Sequence, residues 1–418
     1  MMAERFVEEC KSKRVFIYGD GTDGRLVRIF LYEQKIDVEA FVVTSDPKHR
    51  RLMDIPVKAL SELSGKDSDA LFLICMNKIW WQQAIDNLKR IGCANNLVLD
   101  NNLRRIILEK VQYSHIFEDV EIGRNINTLL YHRVESLPTV SSLIVSEQNF
   151  EDQLRFIREN YEVLKADENW RGVNRKSVVL TFDDGYVDFY KNTYPLLKKY
   201  NVPATVFVAT GNIGNTREFW WDRLERSIFE SNLPTFFSVF GKKYRISDYE
   251  DRETLMDEIH NQVIVMHYED REAVVDELAG QLHTNQVTRE RYRTMDAEEI
   301  KELSKDPLIT IGAHTVSHIL CDCESADVQK KEIEESKYVL EKIIGREVNL
   351  FAYPNGNVGE DTRAILEELG FVRAFTCVNG CIEHDDKKYD IPRCPVLNWP
   401  SEENAKWFRG MWQTGKDV

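Results

Sequence analysis

Ser177-Val-Val-Leu-Thr-Phe-Asp-Asp-Gly185 decides how this chain folds. An apolar run of strand length ends in two adjacent carboxylates and a glycine, the pattern of a buried parallel strand that delivers acids to its C-terminal edge. Successive strand side chains point to opposite faces, but where the chain turns on Gly185 both acids can reach one pocket. Asp183 and Asp184 can then take different roles. The alternative is an Asp-Asp-Gly turn that only ends a strand. A second apolar strand, Leu308-Ile-Thr-Ile-Gly-Ala-His-Thr-Val-Ser-His318, runs into two histidines four positions apart. On a helical turn that spacing puts both imidazoles on one face, as two nitrogen ligands to one metal require. No glutamate follows His314, so this is not His-Glu-x-x-His. Together the two clusters offer one carboxylate and two imidazoles and leave a coordination position open, the catalytic rather than the structural pattern.

Thr181-Phe-Asp-Asp-Gly185 and His314-Thr-Val-Ser-His318 resemble the first two motifs of the NodB-homology polysaccharide deacetylases, carbohydrate esterase family 4. The resemblance extends to Leu130-Tyr-His-Arg-Val134, Val202-Pro-Ala-Thr-Val-Phe-Val208, Phe219-Trp-Trp-Asp222, Phe351-Ala-Tyr-Pro-Asn-Gly356 and Asp390-Ile-Pro-Arg393, covering about residues 120 to 400. It implies an irregular (β/α) barrel, usually of seven strands, with function at the strand C-terminal ends. It also implies Asp184, His314 and His318 as metal ligands and Asp183 as general base. The metal would be zinc, with cobalt, nickel, manganese or iron as alternatives. Where many relatives have Arg-x-Pro-Tyr this chain has Ala352-Tyr-Pro-Asn355, so the arginine that orients the base is missing there. Arg393 is the candidate replacement, against the reading of a surface arginine. The family's late leucine-rich motif with its histidine is absent too, and His384 sits in a polar loop-like run. In relatives with permuted motifs a histidine placed like His132 supplies the general acid; a lone strand-end histidine is otherwise structural. A backbone N–H near Asn355, with Tyr353 beside it, is expected at the oxyanion and substrate position.

The chain has 418 residues, 43% hydrophobic and 30% charged, enough for two domains with ample core. A formal net charge of −15 argues against nucleic acid or anionic membrane as a partner through a broad basic face. The eight cysteines lack Cys-x-x-Cys spacing and lie largely in apolar runs, so reduced thiols in a cytoplasmic protein are expected. The charged N-terminus does not read as an export signal, and no apolar stretch nears the roughly 20 residues of a transmembrane helix. Such a chain is expected to act on a biosynthetic precursor, an acetylated sugar carried on a nucleotide or a lipid.

Residues 1–110 open with Arg14-Val-Phe-Ile-Tyr-Gly-Asp-Gly-Thr-Asp-Gly24, a strand followed by Gly19, Gly21 and Gly24 and a helical pattern. This is Gly-x-Gly-x-x-Gly in the setting where a backbone turn can approach a phosphate at a helix N-terminus. Strands at Val38 to Val43, Ala70 to Met76 and Asn96 to Leu99 and a helix from Trp80 to Ile91 continue a small Rossmann-like parallel sheet. Thr44 and Ser45, with Asp46 just after, stand where an acid would bind a ribose, and Asp20 and Asp23 would repel a pyrophosphate. Nucleotide or nucleotide-sugar binding and simple docking both stay open. The segment resembles Rossmann-like N-terminal domains of sugar acyltransferases in surface-glycan pathways.

Residues 120–418 form the second domain, begun by a short strand that ends on His132. Trp220 and Trp221 read as a sugar-stacking platform or as core. Residues 232–294 read as a hairpin and two amphipathic helices inserted at one rim, to cap the site or serve an oligomer contact. The expectation is an α/β protein that hydrolyses the N-acetyl group of an acetylated sugar in surface-glycan biosynthesis. A nucleotide-dependent oxidoreductase using the glycine loop and a catalytically silent glycan-binding module are the alternatives.

Overall fold

The computed structural model describes residues 2–20, 22–45, 47, 51–52, 55–63, 67–76, 80–100, 103–104, 107, 126–135, 143–170, 173, 175–214, 217–380, 382, 388–399 and 408. They divide into two compact units, one mainly of residues before 124 and one of 125–378 with 382–401.

The first unit is built on Val15–Tyr18 (β1), whose four residues are all buried. Alternate side chains enter two cores. Val15 and Ile17 pack with Phe6, Leu26 and Phe30 from helices Met2–Lys11 and Thr22–Glu33, while Phe16 and Tyr18 pack with Ala84 and Leu88 of helix Trp81–Arg90. Val38–Val43 (β2), Arg51–Leu52 (β3), Ile55–Ala59 (β4), Leu71–Ile74 (β5) and Asn96–Val98 (β6) complete a sheet of order β3-β4-β2-β1-β5-β6. Every pairing is parallel except the β3–β4 hairpin, and the two central neighbours β1 and β5 are the unbroken, fully buried apolar strands that a parallel sheet covered on both faces needs. Gly19 has φ +117°, and a Cβ there would lie 2.3 Å from the Cys75 carbonyl oxygen; a Cβ on Gly24 would lie 2.0 Å from the Gly19 carbonyl oxygen. Tight backbone packing thus accounts for both glycines. Gly21 and Asp46 lie outside the described residues. Thr44 is engaged by the Tyr18 hydroxyl at 3.0 Å, and Asp23 accepts from Arg104 Nε at 2.7 Å.

The second unit contains Ile126–Tyr131 (β7), Arg133–Val134 (β8), Ile144–Val145 (β9), Glu162–Val163 (β10), Ser177–Phe182 (β11), Ala204–Val208 (β12), Phe236–Val239 (β13), Lys242–Arg245 (β14), Ile309–Ala313 (β15), Leu350–Ala352 (β16), Arg373–Phe375 (β17) and Cys394–Pro395 (β18). A parallel sheet runs β17-β16-β15-β12-β11-β7-β18, with β10 beside β11. Its two ends meet, because Phe375 forms a parallel bridge to Ile391, three residues before β18. Val179, Phe207, Leu350, Ala352 and Phe375 from β11, β12, β16 and β17 share one core, while Phe182 on the alternate face stacks on Tyr131 and meets Phe150 and Phe189 edge-on. This is the α/β parallel-strand architecture expected for residues 120–418.

The expected hairpin and helices of the insertion are β13–β14, Tyr249–Val263 and Tyr268–Gln281. They share a core with helix Trp220–Phe229 through Leu224, Ile228, Phe237, Tyr244, Leu255, Ile259, Val275 and Leu278. Among the described residues no helix is long and apolar enough to cross a membrane. The seven described cysteines are free thiols.

Candidate metal centre

Strand register builds the site. Phe182 of β11 pairs with Tyr131 of β7, so Asp183 and His132, one residue beyond each, emerge side by side; the Asp183 N–H donates to the Tyr131 carbonyl at 3.0 Å. Val208 of β12 pairs with Ala313 of β15, and Ala313 with Phe351 of β16, which brings His314 to the same C-terminal edge. Asp183 continues the inward series of Val179 and Thr181. Asp184 would face outward in a continued strand, but its φ of +73° followed by +82° at Gly185 turns the carboxylate back.

Asp184, His314 and His318 are all buried, with ligand atoms within 4.8 Å of one another. His314 Nε2 lies 3.6 Å and His318 Nε2 3.5 Å from Asp184 Oδ1. His314 Nδ1 sits 2.7 Å from the Ala352 carbonyl, which can only accept; Nδ1 is therefore the protonated nitrogen and the Nε2 lone pair faces the centre. Separations of 3.5–3.6 Å are long for hydrogen bonds. They approach the roughly 3.3 Å between ligands that sit about 2.0–2.1 Å from a tetrahedral zinc. One carboxylate and two imidazoles, buried and converging, fit a borderline divalent cation. Burial pushes the Asp184 carboxyl upward, but the two imidazoles more than reverse this and hold it well below the carboxylate range. His314 is raised because the charges of Asp183 and Asp184 outweigh burial, whereas burial lowers His318.

Asp183 is clamped by Arg393, whose Nη1 and Nη2 donate to Oδ1 and Oδ2 at 2.7 and 2.6 Å. Arg393 is fully buried and further donates to Thr181 Oγ1 at 3.2 Å and the Thr376 carbonyl at 2.8 Å. Burial raises the Asp183 carboxyl, and the Arg393 charge overrides it, leaving the group below its ordinary value. His132 is half-buried, and burial holds its imidazole below the ordinary value against the opposing charges of Asp184 and Asp183. Asn355 is exposed in the left-handed region at φ +53°, just beyond β16.

Burial corrects one sequence expectation and decides between the readings of another. Tyr353 is fully buried, and its hydroxyl donates to the Tyr389 carbonyl at 2.9 Å; with Ala352 facing the inner core, Tyr353 faces the outer one. Trp220 is buried in the insertion core beside His260, so of the two readings open for it, stacking platform or core, it is core. Its neighbour Trp221 is half-buried at the centre, its ring 4.7 Å from the His318 ring and stacked 4.4 Å from Phe219. Trp221 Nε1 donates to the Tyr186 hydroxyl at 2.8 Å, and that hydroxyl donates to Asp222 at 2.5 Å. His384 lies outside the described residues.

Sequence reasoning missed Arg271 and Glu332. Glu332, on helix Ala326–Ile344, accepts from the N–H groups of Val316 and Ser317 at 2.9 and 2.7 Å, and Arg271 donates to the Ser317 carbonyl at 2.9 Å. Each is a charge inside an amphipathic helical pattern, where a solvated face is the ordinary reading.

Residues 171–374 match the family described as polysaccharide deacetylase. The chain is 22% identical over 275 residues to YxkH of Bacillus subtilis, covering 64% of this chain and 70% of YxkH. It is 23% identical over 302 residues to the poly-beta-1,6-N-acetyl-D-glucosamine N-deacetylase of Staphylococcus epidermidis, covering 68% and 82% of the two chains. Among solved structures, the Streptococcus pyogenes deacetylase PplD in complex with acetate is similar with a TM-score of 0.47 and 22% identity, over 70% of this chain and 99% of that one. The pattern of the polysaccharide deacetylases is thus carried by residues 171–374, and the first unit lies outside that match.

Proposed function

With the polysaccharide deacetylase match over residues 171–374 as the premise, we propose that this chain is a metal-dependent N-deacetylase of an acetylated sugar in surface-glycan biosynthesis. The observation that carries this reading is one buried group of three convergent ligands with an arginine-clamped second carboxylate beside it. A divalent ion held by Asp184, His314 and His318, most simply zinc, would supply a Lewis acid that acidifies a water and polarises the acetyl carbonyl. Asp183, kept ionised and oriented by Arg393, takes the proton of the attacking water. A backbone N–H near Asn355 faces the oxyanion of the tetrahedral intermediate. His132 protonates the departing nitrogen, since an unprotonated amide nitrogen is a very poor leaving group. The acetyl C–N bond breaks, a C–O bond forms, and acetate and a free amino sugar leave.

In this proposal the permuted position of the acid, at His132, belongs to the same catalytic set. The first unit is a Rossmann-like module that docks the protein or holds the nucleotide of a cytoplasmic, activated precursor. The backbone packing of Gly19 and Gly24 favours docking over dinucleotide redox chemistry.

The test joins metal analysis to acetate release. Wild type is compared with Asp184→Ala and His318→Ala across acetylated mono-, oligo- and nucleotide sugars. About one divalent ion per wild-type chain, loss of it in both variants and metal-dependent acetate are expected. A metal-free wild type would separate the aspartate and histidine clusters and end the proposal. The active substrate would identify the linkage.

A further inference from the structure

Resting on the metal reading above, we propose that the insertion of residues 232–294 is a working part of the metal centre, through Arg271 as a positioning residue for the turn that carries His314 and His318. Helix Tyr268–Gln281 buries Arg271 to 1% exposure. Its Nη2 donates to the Ser317 carbonyl at 2.9 Å, and its guanidinium lies 5.2 Å from the Trp220 ring centre. Glu332 grips the same turn through the N–H groups of Val316 and Ser317. One carboxylate thus holds the donors of the turn, and one guanidinium holds its acceptor.

The turn requires such support. Thr315 and His318 have φ of +62° and +50°, left-handed conformations that cost a non-glycine residue about 1–3 kcal/mol, most clearly the β-branched Thr315. His314 is oriented through its second ring nitrogen by the Ala352 carbonyl. His318 lacks that device: its Nδ1 is buried with no hydrogen-bond partner among the described residues. Ligating histidines are ordinarily aimed by a bond at the second nitrogen. The direction of His318 therefore rests on the turn backbone, fixed by Arg271 and Glu332, and on the Trp221 ring. The start of the Arg271 helix is itself tied down six residues past His318. Glu324 accepts from the Tyr268 N–H at 2.8 Å and meets His267 Nδ1 at 2.9 Å. A buried guanidinium that served packing alone would be replaceable by a methionine of similar length.

The experiment uses the full chain, stripped with a chelator and reloaded. Zinc affinity is measured by competition with a chromophoric chelator, and the visible spectrum of the cobalt form is recorded, for wild type, Arg271→Met and Arg271→Lys. Arg271→Met is expected to bind zinc about tenfold more weakly with altered cobalt bands, and Arg271→Lys to recover part of both. In wild type, reciprocity of coupling makes zinc slow amide hydrogen exchange across 268–281 as well as at the metal turn. Unchanged affinity and cobalt spectrum in a folded Arg271→Met protein overturn the inference. If that variant does not fold, zinc-independent exchange across 268–281 in wild type overturns it. A wild type that binds no zinc removes the metal reading and this inference together; one that binds zinc with the insertion uncoupled removes this inference alone.

Discussion

Replacing Arg393 by methionine isolates the clamp on Asp183. The side chain is fully buried, so methionine keeps most of the volume while five hydrogen bonds vanish: two to Asp183 and one each to Thr181, Thr376 and the Cys377 thiol. Stranding one charge of a buried pair costs about 3–5 kcal/mol, a large share of the 5–15 kcal/mol that holds a typical domain. In wild type the Asp183 carboxyl lies below its unfolded value of about 3.9, so its stabilisation is present above that pH and is lost as pH falls through the folded value. Without Arg393, burial is the largest remaining influence and raises the carboxyl against His314 and His132, so a penalty instead appears as pH rises above about 4. The deficit of Arg393→Met relative to wild type is therefore greatest near neutrality and shrinks toward pH 4. Hydrogen exchange at the β11 amides, read in chelated protein from pH 5 to 7, follows this unit locally. Arg393→Lys keeps a charge but not the two-pronged geometry and is expected to fall between the two. A deficit below about 1 kcal/mol, or one independent of pH, would refute the clamp as an energetic pair.

Three further outcomes are expected. His132→Asn should lower kcat by about 10²–10⁴ with metal content unchanged, measured by acetate release and metal analysis; an equal loss of metal would make His132 structural. Burial pushes the Asp222 carboxyl to about 8, so between about pH 4 and 8 the folded chain holds a proton that the unfolded chain has lost, and wild-type stability falls as pH rises. Asp222→Asn keeps an acceptor for Tyr186 and removes this slope of up to about 1.4 kcal/mol per pH unit, so its advantage in thermal unfolding should grow from pH 5 to 8; a constant difference counts against it. Gly24→Ala drives a Cβ toward the Gly19 carbonyl oxygen and should destabilise the first unit by about 1–3 kcal/mol, read as faster hydrogen exchange in β1; unchanged exchange would mean that the turn yields.

The sequence made legible what continuous apolar strands carry to their ends. Thr181 to Gly185 and His314 to His318 were readable because each follows a strand buried on both faces, and parallel register then places the two ends at one edge. Tyr353 was misread although a local rule was available: alternation along Leu350, Phe351 and Ala352 already assigns Tyr353 to the side away from the inner core. The two tryptophans diverge for a similar reason, since neighbours on a helix point about 100° apart, one into the insertion core and one to the metal turn. β18 is two residues long and carries no periodicity, and nothing local shows that the guanidinium just before it meets a carboxylate 210 positions earlier.

What periodicity could not reach is the backbone at the centre. Of the eight described non-glycine residues with positive φ, Asp184, Thr315, His318 and Asn355 lie at or beside the candidate site. Asp184, Thr315 and His318 sit within two residues of a strand end or of a candidate ligand, and Asn355 sits three past β16, where the pleat would otherwise send alternate side chains to opposite faces. Turning Asp184 and His318 onto the face already held by His314 requires leaving the pleat; aspartate and histidine enter the left-handed region more readily than most residues, but no local pattern fixes that they do so here, and the β-branched Thr315 does so against its own preference. At the turn from His314 to His318 the strain is sustained from outside, by Glu332 on Val316 and Ser317 and by Arg271 on Ser317. Those supports lie on helices remote in sequence. Local sequence rules therefore bring Asp184, His314 and His318 to the strand ends but do not give the backbone conformation that makes them converge, because the forces that fix it are tertiary.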